Sequence, residues 1–220
     1  MPTPYLAAIV TAVITALTCF ALTPLILAWL PAPPEAPQVA FHRLATMRFR
    51  WVAAGIITVA GSLMLSLITP TLWPVWLPLI GLGTFLGLID AETTFLPLRL
   101  SYLTLALVSV GVLISAGWRQ DLQAIAWAVG GAALAGGVFW LLWRFSGEKF
   151  GFGDVRLAAI LGMAGGATSP QTLYLIFLMG TIFGALWAIV VRLQGRQQFA
   201  YGPALLLGAP AALIFTALAG

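Results

Sequence analysis

The chain has 220 residues, 61% of them hydrophobic and only 7% charged, with a mean hydropathy of +1.05. Soluble domains carry roughly 25% charged residues, so the composition excludes a soluble globular protein and indicates an all-α polytopic membrane protein. The net charge of +4 comes from basic residues standing singly between apolar runs, which excludes a nucleic-acid partner. The one cysteine, Cys19, lies in the first apolar run and leaves no intrachain disulfide and no cysteine-based zinc site.

Apolar runs predict eight crossings, at about 4–30, 51–69, 74–90, 100–117, 122–143, 154–167, 171–192 and 203–219. The start lacks the basic region of a cleaved signal peptide, so the first run is read as retained. The longest polar break, 31–50, holds Pro31, Pro33, Pro34 and Pro37, which rule out a continuous helix there. No repeat or low-complexity tract divides the chain, and residues 1–220 read as a single domain. The sixth run is short. Residues 154–167 rise only about 21 Å as a helix, against a hydrocarbon core of about 30 Å. A short crossing that starts below the membrane surface fits, with 151–153 bordering a cavity walled by protein or water.

Charge sets the expected orientation. With eight crossings, one side receives Arg43, Arg48, Arg50, Arg99, Arg144, Lys149, Arg156, Arg192 and Arg196, and the other only Arg119. The populated side is then cytoplasmic and both termini lie outside. Trp29 and Trp51 bracket the first basic loop, and Trp73, Trp76 and Trp118 are expected as anchors at the opposite interface.

Two acids stand out against this background. Gly151-Phe152-Gly153-Asp154 leads into the short sixth run, and an aspartate after such a turn is suited to capping a helix N-terminus. A catalytic role requires a second carboxylate within reach. Asp90 ends the third run on the same side, with Gly83 and Gly87 on its helical face. Asp154, Ala158, Gly162 and Gly165 form a comparable face of small residues. Small residues at this spacing mark close helix packing in membranes, so both acids are expected to point into the bundle. Acids at such depth are costly and mark function.

Two carboxylates that share a site do not easily both ionise. One then takes a proton from water while its protonated partner donates to the carbonyl oxygen of the bond under attack, which needs neither metal nor cofactor. The chain offers little else for hydrolysis. His42, the only histidine, has no evident metal-ligand partners and reads as a solvated or interfacial loop residue, and no Gly-x-Ser-x-Gly elbow is present.

Three stretches in order resemble the type IV prepilin peptidases, bacterial membrane aspartic proteases of the Gly-x-Gly-Asp type. They are Asp90 followed by Leu96-Pro97, the segment 148–162 around Gly151-Phe152-Gly153-Asp154, and Tyr201-Gly202-Pro203 with Gly208 beyond. The resemblance covers most of the chain from Ile89 onward. It implies a multi-pass protein of the bacterial inner membrane that cleaves the basic leader of prepilins or pseudopilins on the cytoplasmic side. Asp90 and Asp154 would form the catalytic dyad. Gly151, Gly153, Glu148, Tyr201, Gly202 and Pro203 would bind substrate or shape the site.

There are departures from the family pattern. Arg156 stands where a lysine is usual, and Leu98 stands where an aspartate usually follows Leu-Pro, which is expected to alter local capping rather than chemistry. The first cytoplasmic loop is only about 20 residues and lacks the paired cysteines that fuller members carry in a domain associated with N-methylation. Cleavage without methylation is the expectation.

Glu92 and Glu148 are either attractors for the basic leader or solvated loop charges. Arg99, Arg144, Lys149 and Arg156 are expected to hold the cytoplasmic face against anionic lipid. Gly180 and Gly184 read as packing positions, and Tyr201-Gly202-Pro203 either shapes an extended substrate strand or simply starts a helix. A transporter using Asp90 and Asp154 as a proton or cation site is the alternative from another class, and a non-catalytic assembly factor is a third reading. Neither the particular pilin nor the oligomeric state is written in the sequence.

Overall fold

Within a bilayer a polypeptide must satisfy its own backbone polar groups, and this apolar chain does so with helices. The computed structural model describes residues 4–33, 36–145, 151–194 and 200–219, and no strand occurs among them. The helices are α1 (Pro4–Trp29), α2 (Met47–Leu67), α3 (Trp73–Pro78), α4 (Thr84–Thr93), α5 (Leu98–Arg119), α6 (Gln123–Phe145), α7 (Phe152–Thr168), α8 (Pro170–Leu193) and α9 (Gly202–Ala219). A π-helical segment, Leu79–Gly83, joins α3 to α4 after Pro78, so Pro70–Thr93 forms one span. Among the described residues, seven helices are long and apolar enough to cross a membrane.

Capping sets several boundaries. The Thr46 side chain accepts the Phe49 N–H at 3.2 Å, which starts α2 at Met47, four residues before the apolar run begins. Ser169 accepts the Thr172 N–H at 3.0 Å, and Pro170 opens α8 as its first residue.

The remaining expected crossing corresponds to α7. Its 17 residues are too few to count as a span by length. From Gly153 to Thr168 no residue is exposed, because α7 runs through the middle of the bundle against α5, α6, α8 and α9. A helix apolar on every side is expected to be buried in this way. Its partnership with α6 is the closest. A Cβ at Gly131 would run into the Gly162 carbonyl, one at Gly162 into the Gly131 carbonyl, and one at Gly166 into the Trp127 carbonyl. Such backbone contact is what small residues permit between helices in lipid.

The helix ends sort into two groups. Arg119 at the end of α5 donates to the Ala167 carbonyl at 3.3 Å, and the Trp76 indole donates to Thr168 Oγ1 at 3.0 Å, so the end of α7 lies with the end of α5 and with α3. The start of α7 lies at the other end, beside the α4–α5 connection and the start of α9. Trp76 is fully buried, which corrects its expected role as an interfacial anchor. Its indole N–H needed a partner inside the bundle and found one. Trp29, Trp51 and Trp118 are exposed, in keeping with an interfacial position. His42 is exposed in a 3-10 turn, Phe41–Leu44.

Candidate active site

The last turn of the Pro70–Thr93 span delivers Asp90. The stripe Gly83, Gly87, Asp90 faces α9: a Cβ at Gly83 would sit 3.5 Å from Leu206, and one at Gly87 would sit 2.8 Å from the same side chain. Asp90 is 4% exposed. Its Oδ2 accepts the Gly202 backbone N–H at 2.9 Å. A Cβ on Gly202 would stand 2.7 Å from that oxygen, so a side chain here would displace the carboxyl. Thr94, left-handed with φ 58°, ends α4 and donates its N–H to the Asp90 carbonyl at 2.7 Å.

Asp154 arrives on α7. The helix begins at Phe152 with Gly151 in the cap position, and Asp154 is its third residue, which corrects its expected role as the cap. Gly151 is exposed and Gly153 is partly buried. A Cβ at Gly153 would lie 2.7 Å from Leu96, so the connection after α4 lies directly on the start of α7. Asp154 is 9% exposed. The small-residue face expected to run from Asp154 divides between neighbours: Gly162 meets Gly131 of α6, whereas Gly165 meets Leu173 and Ile176 of α8.

The start of α9 brings the two acids together. A Cβ at Gly202 would touch the Asp90 carboxyl on one side and, at 3.4 Å, Leu157 on the other, one turn after Asp154. The Asp154 carboxyl lies within electrostatic reach of Asp90 and of Arg156. Tyr201 fills the notch left by Gly184, against Phe139 with ring centroids 6.2 Å apart. Pro203 follows as an early residue of α9, facing Gly87. The tight packing of Gly180 against Leu205 and of Gly208 against the Ile176 carbonyl fixes α9 on α8.

The remaining charges divide. Arg156 was expected at a lipid surface; instead its Nε and Nη1 are buried without a hydrogen-bond partner, and its guanidinium lies 5.8 Å from the Phe152 ring centroid. Arg99 bonds the Trp29 carbonyl at 3.1 Å, and Arg144 and Glu92 are exposed. Glu148 and Lys149 lie outside the described residues. Among the described residues no three of His, Cys, Asp and Glu cluster as metal ligands. Two carboxyl groups buried in one neighbourhood do not easily both ionise, a condition that suits general acid–base hydrolysis.

A model of the type IV leader peptidase family matches residues 77–189. The chain belongs to the type IV leader peptidase family. The match contains both acids and stops before Tyr201-Gly202-Pro203. Three curated relatives share the name prepilin leader peptidase/N-methyltransferase. The protein of Dickeya chrysanthemi is 32% identical over 70% of this chain and 57% of its own length. That of Escherichia coli (strain K12) is 36% identical over 56% of this chain and 55% of its own length. That of Stutzerimonas stutzeri is 29% identical over 59% of this chain and 45% of its own length. The chain thus spans about half the length of these relatives of the family. No solved structure gives a significant match.

The motif names Gly202 as a site-shaping residue, but sequence reasoning does not foresee the hold of its backbone N–H on Asp90. The signal for the position is the Tyr201-Gly202-Pro203 stretch itself.

Proposed function

We propose that this protein is an aspartic endopeptidase of the bacterial inner membrane that removes the basic leader from type IV prepilins or pseudopilins. One observation carries the reading: Asp90 and Asp154, distant in sequence, are both buried at the same end of the bundle, where Gly202 packs against the Asp90 carboxyl and against Leu157, one turn after Asp154. The relatives' shared name supports leader peptides as the substrate.

Asp90 suits the part of the base. The Gly202 N–H holds Oδ2 and leaves the second oxygen to take a proton from water, and a charge-assisted bond of this kind favours a carboxylate. Asp154, holding the shared proton, donates to the carbonyl oxygen of the scissile bond. The pair then exchanges roles as the leaving amine is protonated.

The basic residues counted above support a cytoplasmic position for this end of the bundle. Within reach of it, Glu92 is exposed and free to attract a basic leader. We assign no N-methylation to this chain, because the connection between α1 and α2 is short and holds no cysteine.

The test uses the full chain in proteoliposomes with a prepilin-like substrate, read as a size shift on a gel. Wild type cleaves, and Asp90→Asn and Asp154→Asn each abolish cleavage while still inserting and eluting as folded protein. Cleavage that persists in either variant removes that residue from the dyad. With a methyl donor supplied in the same reaction, mass spectrometry of the trimmed product reports an unmodified N-terminus; a methyl group there overturns the second half of the reading.

A further inference from the structure

Two kinds of contact join α9 to α8. Gly180 and Gly208 admit backbone: Cβ atoms there would meet the Leu205 Cα at 3.2 Å and the Ile176 carbonyl. Gly184 differs, because a Cβ there would run into the edge of the Tyr201 ring, with the next ring carbon at 3.1 Å. That ring belongs to the residue before α9, in the cap position, whose carbonyl accepts the Leu205 N–H at 3.1 Å. A tyrosine there offers no short side-chain acceptor to the free amides of the first turn, as serine or aspartate would. Asp90 takes one of those amides, the Gly202 N–H, and the tyrosine ring is spent on α8 and α6 instead.

The ring is walled in. Gly184 lies under one edge, and the hydroxyl is hydrogen-bonded to Thr181, three residues earlier on the same face of α8. Across from it stands Phe139 of α6, buried and backed by Phe177 at a centroid separation of 5.7 Å. The peptide unit that joins Tyr201 to Gly202 is rigid and planar, and it is bonded at both edges. Its carbonyl holds Leu205, and its N–H holds Asp90 Oδ2 at 2.9 Å. A ring that is pushed sideways against Phe139 must pass the displacement to this plane.

The geometry points to Gly184 and Tyr201 as positioning residues for the acid pair. The notch in α8 seats the ring, the ring fixes the peptide plane, and the plane aims the free oxygen of Asp90. Gly184, which reads in the sequence as a packing position, thus acts on the site from a helix that supplies neither acid. The inference rests on the proposed peptidase reading, and it adds what orients the base in that reading.

The test is a double-mutant cycle on the full chain in proteoliposomes with an intact prepilin-like substrate, joined to amide exchange read at Gly202 without substrate. Gly184→Ala lowers kcat by about tenfold or more while KM stays near the wild-type value. Tyr201→Phe keeps the ring and keeps kcat near wild type. Tyr201→Ala lowers kcat as Gly184→Ala does, and adding Gly184→Ala to it costs nothing further, because no ring remains to collide with. Exchange of the Gly202 amide quickens about tenfold in Gly184→Ala and in Tyr201→Ala, and not in Tyr201→Phe. Additive losses in the cycle, a raised KM with kcat unchanged, a collapse of kcat in Tyr201→Phe, or unmoved Gly202 exchange in a folded Gly184→Ala each overturn the inference. A wild type that cleaves nothing while the exchange pattern holds overturns the peptidase reading instead, so the two failures are distinguishable.

Discussion

The Gly202 amide and the Asp90 carboxylate meet at 2.9 Å although 112 positions separate them in the chain. This bond ties the start of the last helix to the end of the third span, and a side chain at position 202 would press on the carboxyl.

Gly202→Ala is therefore expected to reduce cleavage far more than it reduces folding. The new methyl would press on Asp90 Oδ2 and shift the carboxyl, and a displacement of about 1 Å at a reacting group costs on the order of 10²-fold in rate. Steady-state kcat on an intact substrate, with a thermal melt of the same preparation, separates the two effects. A fully active Gly202→Ala enzyme would remove this contact from the mechanism.

Two alanine substitutions in neighbouring helices should behave oppositely. Gly162 faces the Gly131 carbonyl, and backbone cannot rotate away, so Gly162→Ala should destabilise by about 2–3 kcal/mol. Gly130 has open space around its missing Cβ, and Gly130→Ala should be neutral or gain up to about 1 kcal/mol through helix propensity. Unfolding midpoints in a mild detergent would read both. Equal midpoints would mean that the contact between α6 and α7 is looser than described.

Leu98 opens α5 at 54% exposure, and neither a side-chain cap nor an acid lies in that first turn. Leu98→Asp should add about 0.3–1 kcal/mol by placing a negative charge at the positive end of the helix dipole. Leader cleavage should be unaltered. A large change in kcat would show that position 98 touches the chemistry.

Thr94 holds a left-handed backbone that costs a residue with a Cβ about 1 kcal/mol or more. Thr94→Gly should raise stability by about 0.5–1 kcal/mol, because the N–H to the Asp90 carbonyl is kept. A fall in the unfolding midpoint would mean that the Thr94 side chain contributes more than its backbone costs.

The position of Asp90 was legible because three residues at helical spacing are enough to define a face, and Gly83, Gly87 and Asp90 do share one. The pairing with Asp154 could be suspected from motif and charge. The Gly202 donor could not, since a backbone N–H leaves no mark in composition or periodicity. Misreadings cluster on and around α7. Gly162 and Gly165 lie about 60° apart on a helix, which does not matter against one neighbour but decides the partner when neighbours stand on every side. The same surrounding protein places Trp76 in the core and buries two nitrogens of Arg156, residues that side-chain type and place in the chain assign to an interface. Glu148, named from its motif, falls outside the described residues.

The enclosure of α7 has a mechanical consequence. When a bilayer thickens or thins, the mismatch is taken up by tilt of the helices that touch acyl chains. The helix carrying Asp154 touches other helices along nearly its whole length, so its register against Asp90 is set by glycine contacts and insulated from the lipid composition of the host membrane.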